Sequence, residues 1–324
     1  MLQDIYQPNP EFAKDARIKS MDEYNVLVKK ATDDYEGFWK DYADEKIDWF
    51  EPYSTVLDES NAPFVRWFEG GKLNVAHQCI DRHLKTQKNK AAIIFEGDRG
   101  DKQVITYLDL YYEVNKFANL LKEDFGVKKG DRVALLLPNS PHFIISYYAV
   151  LRAGAVVVPT NPLYSDKELL FQINDSGAEF LIALDILFPN VDKILPDTGL
   201  KKVIVGGIQD FLPFIKKLFY PFAAKRDKKR VVVRESSTVL LFHKLMKQKF
   251  DTFKAPDMSD DDLAQLQYTG GTTGVAKGAM LTHKNIVANN LQMKNWYVGI
   301  KEKEEVFISV LPFFHVYGMA AAMG

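Results

Sequence analysis

The sequence lacks the features that mark secreted and membrane-spanning proteins. It has one cysteine, Cys79, in 324 residues, so no disulfide can form within the chain. Its start, MLQDIYQPNP, has neither the basic residues nor the apolar stretch of a signal peptide. The longest apolar stretch, FIISYYAVLRAGAVVVPT, is interrupted by Arg152 and falls short of the ~20 apolar residues that cross a bilayer. A cytoplasmic protein without a transmembrane segment is therefore expected.

The chain also lacks a net charge that could attract a partner to the molecule as a whole. Lys and Arg total 42 and Asp and Glu total 43, which leaves a formal net charge of -1. We therefore expect no nucleic-acid partner, and any site for an anion must be local. The length and the 47% of hydrophobic residues indicate a globular protein with roughly two domains' worth of core.

Short apolar runs alternate with amphipathic segments over much of the chain. The runs are AAIIFEG, DRVALLL, AVVVPT, EFLIAL and KKVIVGG. Two of the segments between them begin with capping boxes, Thr106 with Asp109 and Ser165 with Glu168. Strands that alternate with helices predict an α/β fold of mostly parallel sheets flanked by helices. We expect an amino-terminal extension over residues 1–90 and a main domain over 91–324.

The alternation fails between Phe211 and Met246, which looks like an insertion. One helical face would carry large apolar residues, with two lysines beside it and a basic run from Lys225 to Arg230 behind it. The apolar residues are Phe211, Phe214, Ile215, Leu218 and Phe219. This pattern fits an element that lies on a membrane surface, and it also fits a helix packed on its own domain beside a solvated basic turn. We favour the packed helix.

The stretch QYTGGTTGVAKGAMLTHKN is rich in glycine and threonine between two regular elements. LAQLQYT predicts a strand before it, and Thr282 predicts the N-cap of a helix after it. Glycines let the backbone approach a ligand closely, threonines add hydroxyl donors, and a lysine adds a mobile positive charge. The combination predicts a phosphate-binding loop. The residues expected to contact a nucleotide are Thr269, Gly270, Gly271, Thr272, Thr273, Gly274, Lys277 and Gly278.

This loop does not follow the Walker pattern of other phosphate-binding loops. Ala276 precedes Lys277 where that pattern requires glycine, and Gly278 follows where it requires a magnesium-binding hydroxyl. The segment GAML also separates the loop from the Thr282 cap, so the dipole of the helix is not the main attraction for an anion. Backbone N–H groups and Lys277 must supply it.

The loop resembles the signature of the acyl-adenylate-forming superfamily, which includes acyl-CoA synthetases, luciferases and peptide-synthetase adenylation domains. The block from Gly130 to Ala178 and the segment LPFFHVYGM look like the flanking blocks of its fatty-acid members. Ala276, together with GGTTG and GAMLTH, is similar to long-chain acyl-CoA synthetases, whereas most members have proline there. The lead-in from Val56 to Leu84 instead resembles the amino-terminal extension of acetyl- and propionyl-CoA synthetases. The chain length of the acid therefore stays open.

The resemblance implies a two-step reaction in one active site. A carboxylate joins the α-phosphate of ATP and expels pyrophosphate, and the acyl group then passes from AMP to coenzyme A. It implies ATP, Mg²⁺ and coenzyme A as cofactors or co-substrates, with Thr272 at the metal. Lys277 and His315 are the implied catalytic residues, and Thr272, Thr273 and Lys277 are expected at the β- and γ-phosphates. His315 follows an apolar run that predicts a strand, and its alternative is a core histidine bonded to backbone.

The later motifs of the superfamily are missing from the sequence. They are a Thr-Glu segment for adenine and magnesium, a ribose-binding Asp, and a small carboxy-terminal domain with a catalytic Lys. We therefore expect the amino-terminal part of an ATP-dependent acyl-CoA synthetase, with an AMP-binding domain truncated before these motifs and inactive alone. A stand-alone nucleotide- or acyl-binding module and an enzyme that loads a carrier protein are the alternatives.

The expected partners are small molecules, namely the carboxylic acid, ATP and coenzyme A. Contact of residues 211–230 with a membrane and a homodimer are left open.

Overall fold

The computed structural model describes residues 8–97, 100–213, 216–217, 220, 231–247, 252–270, 274–297, 299–301 and 303–324. The chain divides into two compact units. The smaller one contains Met1–Lys72 and Ala288–Phe307, and the larger one contains Leu73–Val287 and Ile308–Gly324.

The smaller unit combines helices with one antiparallel strand pair. Its elements are α1 (Pro10–Ala13), α2 (Met21–Asp33), α3 (Tyr35–Lys46), β1 (Thr55–Asp58) and β2 (Arg66–Glu69). The rings of Trp49, Tyr53 and Phe68 pack together with centroids 5.0 to 5.9 Å apart. A Cβ on Gly71 would lie 2.7 Å from the Trp49 ring, so this aromatic cluster requires glycine there. Aromatic packing therefore holds the polar lead-in together.

The larger unit contains the remaining elements. Its strands are β3 (Ala91–Glu96), β4 (Lys102–Thr106), β5 (Arg132–Leu136), β6 (Val156–Pro159), β7 (Phe180–Leu184), β8 (Lys202–Gly206), β9 (Val239–Leu241), β10 (Leu263–Thr269) and β11 (Lys277–Thr282). Its helices are α4 (Arg82–Gln87), α5 (Tyr107–Asn119), α6 (Pro141–Arg152), α7 (Asp166–Ser176), α8 (Phe188–Ile194), α9 (Phe242–Leu245), α10 (His283–Trp296), which ends in the smaller unit, and α11 (Val316–Met323). Shorter helical turns are His77–Asp81, Leu120–Asp124, Asp185–Leu187, Leu195–Asp197 and Ile208–Phe211.

A seven-stranded sheet forms the centre of the larger unit. Its strand order is β11-β10-β6-β5-β7-β8-β9, and every pair is parallel except β10 with β11. Strands β6 and β7 are buried along their whole length, as expected of a parallel sheet covered on both faces. Helices α7 and α8 contribute apolar residues to the core against β5, β7 and β8. The predicted α/β fold class is confirmed.

The two predicted capping boxes are also confirmed. Thr106 Oγ1 accepts a hydrogen bond from Asp109 N at 3.1 Å, and Ser165 Oγ accepts one from Glu168 N at 3.5 Å. In each box the carboxylate accepts the N–H of the capping residue in return. These caps depend on residues three apart in the chain, which is why the sequence alone predicts them.

Two sequence expectations differ from the structure. The supposed insertion contains β9, which extends the sheet beside β8, so the α/β alternation resumes before Met246. The apolar run before His315 is no strand: Val306, Ile308 and Val310 are largely exposed, and the run pairs with no strand among the described residues. The final apolar segment forms α11.

The amphipathic helix predicted near residue 214 lies mostly outside the described residues. Phe214, Ile215, Leu218, Phe219 and the basic run 225–230 belong to that part of the chain. Phe211 is described, and its ring packs edge-on against His142 with centroids 4.5 Å apart. Across the described ranges, no helix combines the length and the apolarity needed to cross a membrane.

Candidate functional site

The glycine-rich loop connects the two strands of an antiparallel hairpin. Thr269, the last residue of β10, pairs with Lys277, the first residue of β11, and Tyr268 pairs with Gly278. Residues directly opposite in such a pair have their side chains on the same face of the sheet. The hairpin therefore brings Thr269 and Lys277 together at the mouth of the loop, although eight positions separate them in the sequence.

The described part of the loop leaves room for a ligand. A Cβ added to Gly270 or Gly274 would meet no atom of the described residues within 4 Å, and Gly274 has φ of +85°, a conformation that favours glycine. Thr269 and Gly270 are exposed. The predicted contacts of Gly271, Thr272 and Thr273 lie outside the described residues. Open space beside hydroxyl and backbone donors fits a polyphosphate chain.

Lys277 places a positive charge beside the loop. Its side chain is exposed, and no carboxylate among the described residues forms an ion pair with it. An ammonium group without an internal partner can bind an anionic ligand without first breaking an ion pair.

Gly278 has a packing role next to the loop. A Cβ at this position would lie 3.1 Å from the ring of Tyr268 on the neighbouring strand. The Tyr268 hydroxyl donates a hydrogen bond of 2.5 Å to Asp175 Oδ2 on α7, and burial together with this bond raises the pKa of Tyr268. Gly278 thus makes room for a ring that ties the hairpin to α7, while its contact with phosphate stays a prediction.

His315 caps the last helix. Its Nδ1 accepts a hydrogen bond from the N–H of Tyr317 at 3.4 Å, and its side chain is exposed. Because Nδ1 accepts this hydrogen bond, Nε2 is the nitrogen left for a ligand. The core-histidine alternative does not fit an exposed ring. A Cβ on Gly318 would clash with the carbonyl oxygen of Pro312, so the turn that carries His315 requires glycine there.

Two residues that the sequence did not single out contact the segment before His315. Asn139 follows β5 and hydrogen-bonds to the backbone of residues 309–313, and Gln267 in β10 donates to the carbonyl of Phe314. In the sequence, the signal for Asn139 was an amide side chain just after a buried strand, and the signal for Gln267 was an amide side chain within one. Strands β10, β6 and β5 are neighbours and parallel, so their carboxyl ends meet at one edge, where ligands bind in sheets of this kind.

Comparisons with known proteins found matches along the chain from residue 24 onward. Residues 80–324 match the family described as AMP-binding enzyme, and residues 24–79 match that described as acetyl-coenzyme A synthetase N-terminus. The acetyl-coenzyme A synthetase of Wolinella succinogenes is 39% identical over 302 residues, 93% of this chain and 45% of that protein. That of Campylobacter jejuni subsp. jejuni serotype O:2 is 37% identical over 314 residues, which are 95% of this chain and 45% of that protein. That of Helicobacter pylori strain P12 is 38% identical over 300 residues, which are 93% of this chain and 44% of that protein. The chain spans less than half the length of these curated relatives.

Proposed function

The chain belongs to the family of AMP-binding enzymes, and from that premise we propose that the whole protein is an AMP-forming acid–thiol ligase. It would join a carboxylic acid to AMP and then transfer the acyl group to coenzyme A. The observation that carries the proposal is the pairing of Thr269 with Lys277 across the mouth of an open glycine loop. Fixed donors and one exposed ammonium are suited to holding a polyphosphate.

In the first step a carboxylate oxygen of the acid attacks the α-phosphorus of ATP. The bond from this phosphorus to the oxygen that bridges to the β-phosphate breaks, and pyrophosphate leaves with the electron pair. Negative charge grows on the leaving group, and Lys277 and the loop donors would stabilise it. We propose that Thr272 would help to hold Mg²⁺, which would neutralise part of the phosphate charge.

In the second step the sulfur of coenzyme A attacks the acyl carbonyl carbon. A carbon–sulfur bond forms, the bond to the phosphate oxygen of AMP breaks, AMP leaves with the electron pair, and the thiol proton passes to solvent. We propose that His315 lines the pocket of the carboxylate, where Nε2 would donate a hydrogen bond to an oxygen of the acid. The assignments of Lys277, Thr272 and His315 stay predictions, as do the contacts of the loop glycines.

Two classes of acid are compatible with the chain. Almost the whole chain matches relatives that are named acetyl-coenzyme A synthetases, which favours acetate or another short acid. The form of the loop with Ala276 favours a fatty acid. We propose acetate as the first substrate to test and fatty acids as the second. The division at residue 90, a cytoplasmic location, a homodimer and a membrane contact through residues 211–230 remain predictions.

The test is acid-dependent exchange of labelled pyrophosphate into ATP by the whole protein, with acetate, octanoate and palmitate compared. We expect exchange with one class of acid and none without acid. Formation of the acyl thioester is then followed with coenzyme A and, separately, with a carrier protein as acceptor. ATP binding by the folded protein without exchange for any acid would contradict the ligase and favour a binding module.

A further inference from the structure

One side chain holds most of the segment that leads to His315. Asn139 Nδ2 donates to the carbonyl of Ser309 at 3.0 Å and to that of Leu311 at 2.8 Å, and Asn139 Oδ1 accepts from Phe313 N at 2.8 Å. The segment has no strand pairing of its own among the described residues, so these bonds satisfy backbone groups that regular structure would otherwise satisfy. A single amide thus fixes the course of residues 309–313.

A second amide reaches the same segment from the interior of the sheet. The Tyr147 hydroxyl donates to Gln265 Oε1 at 3.3 Å, Gln265 Nε2 donates to Gln267 Oε1 at 2.6 Å, and Gln267 Nε2 donates to the carbonyl of Phe314 at 3.4 Å. Gln265 and Gln267 are 1% and 6% exposed. Buried amides are costly unless they are hydrogen-bonded, so Gln265 fixes which end of the Gln267 amide faces Phe314.

The side chain between these two contacts adds an apolar anchor. Phe313 is 4% exposed, and its ring lies 5.5 Å from that of Phe143 on α6. The residues on either side are therefore restrained by Asn139 from the end of β5 and by Gln267 from β10. His315 comes directly after this restrained segment and begins α11. Its position depends on contacts that it does not itself make.

We propose that Asn139 and Gln267 are positioning residues that fix His315 relative to the phosphate loop. Gln267 lies two positions before Thr269 on β10, so one strand carries both the start of the loop and a contact to the segment of His315. Group transfer depends on holding the reacting groups in a fixed geometry, and small displacements lower the rate strongly. The proposal rests on the proposed function, because it assigns these residues to the same reaction.

The main test compares Asn139→Asp with Asn119→Asp. Both asparagines are half-buried, and the Nδ2 of each donates to two backbone carbonyls, those of Asn115 and Thr252 in the case of Asn119. Aspartate has nearly the same shape as asparagine but places an oxygen against those carbonyls. Asn119 lies at the end of α5, and its two hydrogen bonds among the described residues go to Asn115 and Thr252, which lie outside the candidate site.

Two quantities are measured in the whole protein, namely hydrogen exchange of the backbone over residues 309–318 and the kinetics of acid-dependent pyrophosphate exchange. Asn139→Asp should accelerate hydrogen exchange in that segment and lower kcat by about 10- to 100-fold, with KM for ATP nearly unchanged. Asn119→Asp should leave both quantities unchanged. Gln267→Met, which keeps the size of the side chain but removes the amide, should act in the same direction as Asn139→Asp.

The proposal is overturned if Asn139→Asp and Gln267→Met accelerate hydrogen exchange but leave kcat unchanged, since the segment then moves without consequence. It is also overturned if neither variant changes the hydrogen exchange of the segment. If Asn139→Asp does not fold, Gln267→Met decides by the same two measurements. Absence of pyrophosphate exchange in the wild-type protein would reject the proposed function itself, whereas active wild-type protein with unaffected variants would reject only the positioning role.

Discussion

Two parts of the same seven-stranded sheet differ in what surrounds them. The inner strands β5, β6 and β7 are buried almost completely and are paired on both sides with parallel neighbours. The β10–β11 hairpin at one edge has an exposed outer strand and exposed residues at its mouth, Thr269 and Lys277. The difference indicates that the inner strands provide stability, while the hairpin is free to present polar and charged groups to a ligand.

The largest expected effect tests the stability half of this comparison. Leu135 in β5 is fully buried, whereas Met280 in β11 is 66% exposed. Leu135→Ala removes buried methyl groups and leaves a cavity, so it should lower the free energy of unfolding by about 2–5 kcal/mol. Met280→Ala should change it by less than about 0.5 kcal/mol. Urea unfolding of both variants measures the two effects, and similar losses would contradict the contrast between the regions.

The second effect tests the functional half. Lys277→Ala should lower the rate of adenylation by about 100-fold, because the positive charge proposed to stabilise the leaving pyrophosphate is lost. The free energy of unfolding should change by less than about 0.5 kcal/mol, since the side chain is exposed. Lys201→Ala is the matched control. Lys201 is also exposed, but it forms an ion pair with Glu179 at 2.6 Å and directly precedes β8, which lies four strands from β10 in the sheet. An unchanged rate for Lys277→Ala would remove this residue from the site.

The same contrast explains which features the sequence predicts. Buried strands such as EFLIAL and the capping box of Ser165 with Glu168 depend on nearby residues, and both are found where expected. The glycine loop is also visible from composition alone. These features need no knowledge of distant parts of the chain.

Features that depend on distant residues were not predictable in this way. The pairing of Thr269 with Lys277 depends on the register of two strands, which the loop sequence does not specify. Asn139 and Leu311 are 172 positions apart, so no local pattern relates them. The apolar run before His315 has the composition of a strand, but a strand needs a neighbour to accept its hydrogen bonds, and the described residues provide none.

The third effect concerns the two ends of β11. Its first residue, Lys277, is exposed, whereas His283 directly after its last residue is 3% exposed. Burial lowers the pKa of His283 from 6.5 to about 4, with Lys129 also lowering it and Asp262 opposing the shift. The His283 Nδ1 accepts a hydrogen bond from Val75 N at 3.1 Å, which requires this nitrogen to be unprotonated.

The sign of the pH dependence follows from this lowered pKa. Between pH 6.5 and about 4 the unfolded chain binds a proton at His283 that the folded protein does not bind. The contribution of the neutral His283 to the free energy of unfolding is therefore complete above pH 6.5. It is lost as the pH falls toward 4, at up to about 1.4 kcal/mol per pH unit. His283→Asn keeps an acceptor near the position of Nδ1. It should make the decline of the unfolding free energy with falling pH shallower, by up to the contribution of one bound proton. Urea unfolding at several pH values measures both slopes, and equal slopes would contradict a buried neutral histidine.

The smallest effect tests whether the turn of the hairpin has a structural cost of its own. Gly274 has φ of +85°, and a Cβ at this position would meet no described atom within 4 Å, so an alanine there would avoid clashes with the described neighbours but would be strained in its backbone. Gly274→Ala should lower the free energy of unfolding by about 1–2 kcal/mol. Gly199 also has open space but no positive φ, so Gly199→Ala should be neutral or stabilising by up to about 1 kcal/mol. If the two alanine variants unfold at the same urea concentration, the left-handed conformation of Gly274 does not contribute to stability. The backbone of the hairpin would then tolerate a side chain at its turn without loss of unfolding free energy.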